Sequence, residues 1–248
     1  MKDAPSYAAP LSWTGFYLGA NAGYAWSDSD RSNIEVFRSP QDGGTLYDSG
    51  PLPYELSPEG GFAGVQLGYN HQSGNIVLGI EADIQASDIG DSSKTSFVDP
   101  GEIADFDYFA SADIEWFGTV RGRIGYSFDR TLLYITGGFA YGEVNYQADY
   151  VFTDPACCTG SFGVVGGGET KTGYVLGAGI EHMLDANWSL KAEYQYIDLG
   201  TLDVDGALFF SDGSPSGETV ESKIDADFHT VRVGLNYRFG GAEAEPLK

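Results

Sequence analysis

The feature that most limits what this chain can fold into is a two-residue alternation, repeated in eight segments of about ten residues each. In residues 15–27, Phe16, Leu18, Ala20, Ala22, Tyr24 and Trp26 share one face. In residues 61–71, Ala63, Val65, Leu67 and Tyr69 oppose Gly64, Gln66, Gly68 and Asn70. In residues 76–86, Ile76, Leu78, Ile80, Ala82 and Ile84 oppose Gly79, Glu81, Asp83 and Gln85. In residues 114–126, Ile114, Trp116, Val120, Ile124 and Tyr126 oppose Glu115, Thr119, Arg121 and Arg123. Residues 132–144 alternate with a less defined facing. Two further runs, 174–182 and 190–196, oppose Tyr174, Leu176, Ala178, Ile180, Leu190, Ala192, Tyr194 and Tyr196 to a second set rich in glycine, Glu181, Lys191, Glu193 and Gln195. The last segment sets Val231, Val233, Leu235, Tyr237 and Phe239 against Thr230, Arg232, Gly234 and Asn236. Side chains that alternate in this way belong to strands with two different faces.

The connections alternate in length. Three are tight turns, around residues 71–75, 127–131 and 184–187. Four are long and polar, at roughly 28–59, 87–112, 147–170 and 200–226. One rim of such a sheet therefore carries turns and the other carries elaborate loops. The expected organisation is a single barrel over residues 15–239, a tail over 1–14 and a second tail over 240–248, with no internal domain boundary.

Which face meets water follows from residue types. A soluble barrel would show Lys, Glu, Ser and Thr on its polar face. Here that face is mostly Gly, Asn and Gln, with charges of both signs at mid-strand: Glu81, Asp83, Glu115, Arg121, Arg123, Glu181, Lys191, Glu193 and Arg232. Balanced charges among glycines read as an enclosed, paired network, because a buried charge is tolerated only with a partner. The opposite face is aliphatic, with Tyr, Trp and Phe near its ends. That distribution suits lipid with an aromatic belt at each interface. The predicted fold is all-β: a closed eight-stranded antiparallel transmembrane β-barrel with four long extracellular loops. Closure follows because an open edge in lipid leaves backbone groups unsatisfied.

Charge and motifs exclude several classes. A formal net charge of −23 and no basic stripe exclude nucleic-acid binding. No apolar run reaches the roughly 20 residues of a membrane-spanning helix. The opening MKDAPSYAAPLSW lacks the apolar core of a signal peptide. The expectation is a mature chain with its signal peptide removed and a new start methionine added. The three histidines, His71, His182 and His229, fall at opposite rims and do not form a Ser-His-Asp set. GAGIEH lacks the third glycine of a dinucleotide fingerprint and reads as strand glycine. The protein is not expected to be an enzyme.

Two outlying features remain. Asp-x-Asp pairs recur at loop-side strand ends: Asp28/Asp30, Asp105/Asp107, Asp203/Asp205 and Asp225/Asp227. Residues two apart on a strand point the same way, so each pair could offer carboxylates to Ca²⁺ or Mg²⁺, bridging to lipopolysaccharide phosphates. The other reading is a solvated acidic rim. The only cysteines, Cys157 and Cys158, are adjacent. A vicinal disulfide, a link between chains and free thiols all remain open.

The segments WTGFYLGANAGYAW, GFAGVQLGYN, GTVRGRIGYSF, YITGGFAYGEV, LGAGIEHMLDANWSLKAEYQYIDLG and VRVGLNYRF together resemble the small outer-membrane β-barrel proteins of alphaproteobacteria, relatives of the OmpA transmembrane domain often called the porin family. The resemblance covers all eight strands. It implies export, insertion by the barrel-assembly machinery, and turns on the periplasmic side. It also implies pairing of interior acids and bases across the lumen, at the matching positions Glu81, Arg123, Glu181 and Lys191. One departure is that Phe239 is followed by GGAEAEPLK, whereas the family usually ends at an aromatic insertion signal. An internal signal with a periplasmic tail and an added remnant are both compatible with this.

The functional expectation is an outer-membrane structural and surface-interaction protein whose lumen is plugged by charged residues. Its expected partners are lipid, lipopolysaccharide, the assembly machinery, and surface ligands or other envelope proteins. The alternatives are a narrow porin for ions or small solutes, and binding of haem or a host ligand by the loops. No cofactor is expected apart from the divalent cations weighed above.

Overall fold

A computed structural model describes residues 12–27, 34–39, 45–51, 56–97, 106–153 and 160–239. It contains ten strands: β1 (Gly15–Trp26), β2 (Ile34–Ser39), β3 (Thr45–Pro51), β4 (Glu59–Ser73), β5 (Ile76–Phe97), β6 (Phe106–Phe128), β7 (Thr131–Phe152), β8 (Phe162–Met183), β9 (Trp188–Phe209) and β10 (Pro215–Arg238). Eight of them form a ring in the order β1-β4-β5-β6-β7-β8-β9-β10, and β10 pairs back onto β1. Every pairing is antiparallel. The seam between β1 and β10 runs from Tyr17↔Arg238 to Trp26↔His229. The short β2–β3 hairpin continues the sheet beyond this seam, with Ile34 opposite Lys223 on β10.

The alternation sets the facing. Side chains of Leu67, Ile80, Val120, Ile135 and Leu176 point out and are 52–66 % exposed. Arg121, Lys191 and Arg232 point in and are at most 2 % exposed. Burying one such aliphatic side chain is worth about 2 kcal/mol, so a whole belt of them cannot be left in water. Aromatic residues bound the belt. Phe16, Tyr69, Tyr126, Trp188 and Tyr237 lie toward the turn end; Trp26, Trp116, Tyr174 and Tyr194 lie toward the far end. The inward glycines make room for large interior side chains. A Cβ on Gly68 would stand 2.3 Å from the Tyr17 hydroxyl, and one on Gly179 would stand 2.6 Å from the Tyr134 ring.

Three sequence expectations change. First, the long polar connections are largely strand. The β5–β6 ladder continues to Phe97↔Phe106, β6–β7 to Phe106↔Phe152, and β9–β10 to Phe209↔Pro215. Strands of 22–24 residues are about twice what a tilted crossing of the hydrocarbon needs. The alternation persists there but turns over: Tyr108, Ala110, Tyr146, Ala148, Tyr150, Leu202 and Val204 are buried inside, while Asp203 and Asp205 are exposed. Polar composition had read as loop, although it is the outer face of a sheet.

Second, of the segment expected as a tail, the described residues 12–14 pack into the interior of the ring. Trp13 is 2 % exposed and packs with Val77, Leu132, Tyr134 and Met183. Its indole N–H donates to Ser127 Oγ at 2.9 Å, and its backbone N–H donates to Gln72 Oε1 at 2.7 Å.

Third, Glu115 does not point inward. Its strand carries a bulge between Ile114 and Trp116, so Ile114 is buried and Glu115 is exposed. One extra residue in a strand reverses the phase of what precedes it.

Candidate functional site

The interior divides into layers. Toward the turn end, Trp13 and its apolar neighbours fill the space. Above them lies a network of four cations and four anions, contributed by β5, β6, β8, β9 and β10. Arg121 pairs with Glu81, with Asp83 at 3.0 Å and with Glu193 at 2.8 Å. Arg232 reaches Glu193 at 2.7 Å, Asp83 at 3.1 Å and Glu81 at 3.3 Å. Lys191 sits 2.8 Å from Glu81. Arg123 meets Glu181 at 3.0 Å, and its guanidinium lies over the Tyr17 and Tyr134 rings at 4.9 and 5.2 Å.

Neutral groups complete the shell. The Tyr17 hydroxyl donates to Glu81 at 2.7 Å, Tyr134 to Glu193 at 2.6 Å, Thr119 to Asp83 at 2.9 Å and Ser189 to Glu181 at 2.6 Å. Asn236 donates to Glu181 at 2.8 Å, and Asn70 accepts from Arg123 at 2.8 Å. Buried charges in a medium of low dielectric persist only with this degree of partnering.

Eight of the nine residues assigned to the lumen, Glu81, Asp83, Arg121, Arg123, Glu181, Lys191, Glu193 and Arg232, meet in this network. Glu115 is the exception, for the reason given above. Tyr17, Tyr134 and Arg238 are large inward residues that the sequence reading did not assign to the lumen. Tyr17 and Tyr134 were legible in principle, since each is a large residue on the glycine-rich phase of its strand. Arg238 continues the inward series 232, 234, 236; it donates to the backbone carbonyl of Ser12 and, at 2.6 Å, to that of Ala186.

An aromatic layer covers the network on the far side. Phe117 sits between Phe62 and Phe228, each pair edge-to-face with centroids 5.3 Å apart. All three are at most 5 % exposed. With Val175, Ile197 and Leu199 they begin an apolar core that continues into the extended part of the sheet. The lid carries the same signal as Tyr17: Phe62 lies on the polar phase of β4, Phe117 on the phase of Thr119 and Arg121, and Phe228 on the phase of Thr230 and Arg232.

The acidic pairs divide differently. Asp28, Asp30 and Asp105, like Cys157 and Cys158, lie outside the described residues. Asp107 accepts from Ser96 Oγ at 2.6 Å. Asp203 and Asp205 are both exposed on β9. Asp225 and Asp227 do not share a face: a register shift separates them, leaving Asp225 exposed with Thr201 donating to it at 2.8 Å and Asp227 buried beside Tyr196. Among the described residues no group of three or more His, Cys, Asp or Glu side chains is placed to hold a metal ion. His182 and His229 sit outside the lumen, bonded to Thr131 at 2.9 Å and to Tyr194 at 2.7 Å.

Comparison with known proteins agrees with this architecture. The family model described as outer membrane protein beta-barrel domain matches residues 4–239. A 31 kDa outer-membrane immunogenic protein of Brucella melitensis is 39 % identical over 247 residues, covering 96 % of this chain and 89 % of the relative. A 22 kDa outer membrane protein of Rhizobium leguminosarum is 31 % identical over 242 residues, covering 96 % and 83 %. A 25 kDa outer-membrane immunogenic protein of Brucella canis is 26 % identical over 237 residues, covering 95 % and 84 %.

Proposed function

Since this chain belongs to the outer membrane protein β-barrel family, and so resides in the bacterial outer membrane, we propose that it is a sealed structural barrel that works through its outer surface rather than through its lumen or by catalysis. In this reading the eight-stranded ring is a closed transmembrane barrel, the tight turns face the periplasm, and the long hairpins stand outside the cell. Lipid and lipopolysaccharide surround the aliphatic belt, and the barrel-assembly machinery inserts it.

The observation that carries the reading is the double closure of the interior. An eight-stranded ring has an interior just wide enough for side chains to fill. Here it holds a charge-neutral ionic network and, stacked on it, the Phe62–Phe117–Phe228 layer. Hydrated ions would have to cross both the bound charges and a dry aromatic layer. The Brucella relatives carry "immunogenic" in their names, which fits an exposed outer face in those proteins.

Planar-bilayer recording of the purified, refolded protein is the test. A bilayer that stays silent supports the sealed barrel. Steady, resolvable openings support a narrow porin instead and overturn the reading.

A further inference from the structure

Beyond the aromatic belt the wall is not continuous. The β8–β9 ladder runs from Met183↔Ser189 up to Tyr174↔Asp198, stops, and resumes at Val165↔Gly206. Through the interval, residues 166–173 of β8 keep their pairing with β7, and residues 201–205 of β9 with residues 221–225 of β10. Each strand thus presents one edge to the gap instead of to its neighbour. Such an edge is a row of backbone donors and acceptors ready for another strand.

The surface beside the gap is shaped and charged. A cleft of about 470 Å³ crosses the outer face here, lined among others by Ser111, Asp113, Asn145, Gln147, Gly166 and Asp205. Its floor is low because Gly166, Gly167 and Gly168 have no side chains. The Asn145 amide lies where a Cβ of Gly168 would be, at 2.0 Å. Asp113 accepts from Asn145 at 3.0 Å and lines the cleft. No Lys or Arg is among the lining residues, and Lys171, farther along β8, is paired with Glu169 at 2.9 Å.

We propose that the open edge of β8 over residues 166–172 receives an extended, basic polypeptide segment by strand addition, with a long cationic side chain lying across Gly166 between Asp113 and Asp205. The edge supplies pairing without regard to sequence, and the acidic cleft selects the charge of the occupant. The glycine run is what lets the side chain cross, since a Cβ on Gly166 would stand 3.2 Å from the Tyr146 carbonyl and rise into the cleft. The proposal rests on the surface-interaction reading above and names the partner chemistry.

The test uses the whole chain folded in detergent micelles. Fluorescence anisotropy is recorded with a peptide of about eight alternating Lys and Val residues, its Glu/Val counterpart, and a Lys/Val peptide N-methylated at every second residue. The expected result is that the Lys/Val peptide binds at least about tenfold more tightly than either control at low salt. Asp113→Asn with Asp205→Asn, and separately Gly166→Val, each lower that affinity several-fold while the folded gel mobility is kept. Equal binding of the N-methylated peptide, indifference to both sets of substitutions, or occupation of the cleft by a neutral oligosaccharide in place of the peptide overturns the proposal. Intact cells separate it from the reading it rests on. Binding in micelles without binding to cells overturns the outward orientation; no binding in micelles overturns strand addition and leaves the sealed barrel standing.

Discussion

Lys191 on β9 and Glu81 on β5 stand four strands apart in a ring of eight, on opposite walls, and the ammonium nitrogen lies 2.8 Å from the carboxylate. A contact between opposite walls ties the cylinder across its diameter. The same carboxylate also receives Arg121, Arg232 and the Tyr17 hydroxyl, which makes Glu81 the hub of the interior.

Glu81→Gln removes the hub charge and leaves Lys191 and the arginines in excess. Breaking a buried pair by deleting one partner costs about 3–5 kcal/mol, and the remaining carboxylates Asp83 and Glu193 soften this to about 3 kcal/mol. Lys191→Met costs less, because Glu81 keeps two arginines. Urea unfolding in lipid vesicles, followed by the heat-shifted band on gels, checks the order of the two.

Phe117→Ala opens the aromatic layer. The lost contacts and the cavity together cost about 3–4 kcal/mol. Conductance stays closed, because the ionic layer beneath is intact, and openings appear only when Lys191→Ala is added. Openings in the Phe117→Ala protein alone show that the aromatic layer is the sole seal.

The turnover of facing between the two halves of the sheet gives a paired test. Val120 points out within the belt and Val151 points out beyond it; both are about half exposed. Val120→Arg places a cation in hydrocarbon and costs about 2–4 kcal/mol. Val151→Arg changes stability by less than about 0.5 kcal/mol, as an exposed substitution in water does. Equal losses at the two sites place the hydrocarbon boundary elsewhere.

At the β8–β9 turn, the Asp185 carboxylate accepts the backbone N–H groups of Asn187 at 2.7 Å and Trp188 at 2.8 Å. These two bonds hold its carboxyl below the usual carboxylate range. A depressed native value means that its stabilisation of the turn is complete above the unfolded Asp pKa of about 3.9 and is lost as pH falls through the lower native value. The Asn187 and Trp188 amide resonances therefore stay fixed from neutral pH to about 4 and move only below it, and Asp185→Asn abolishes that acid transition.

The local pattern of the chain carried much of this. The face on which Leu176 or Arg232 lies needs only the parity of its position, since successive side chains on a strand alternate whatever the strand pairs with. The pooled charges on one parity, and the aliphatic residues on the other, were enough to place the charges inside the ring and the aliphatic residues outside it. Even the glycine-rich phase announced a crowded interior.

What the tertiary structure alone decided are the relations that depend on registry around the ring. That Lys191 faces Glu81, and not Glu181 beside it on the neighbouring strand, follows from the stagger at which eight strands close. The exile of Glu115 follows from a single bulged residue, which shifts phase without altering composition. The apolar core of the extended hairpins is written in the same alternation as the belt, on the opposite parity along β7 but on the same parity along β6, where the bulge inverts the facing. Sequence parity says which residues share a face, but only the position along the closed wall says whether that face looks at lipid, at water or at another wall.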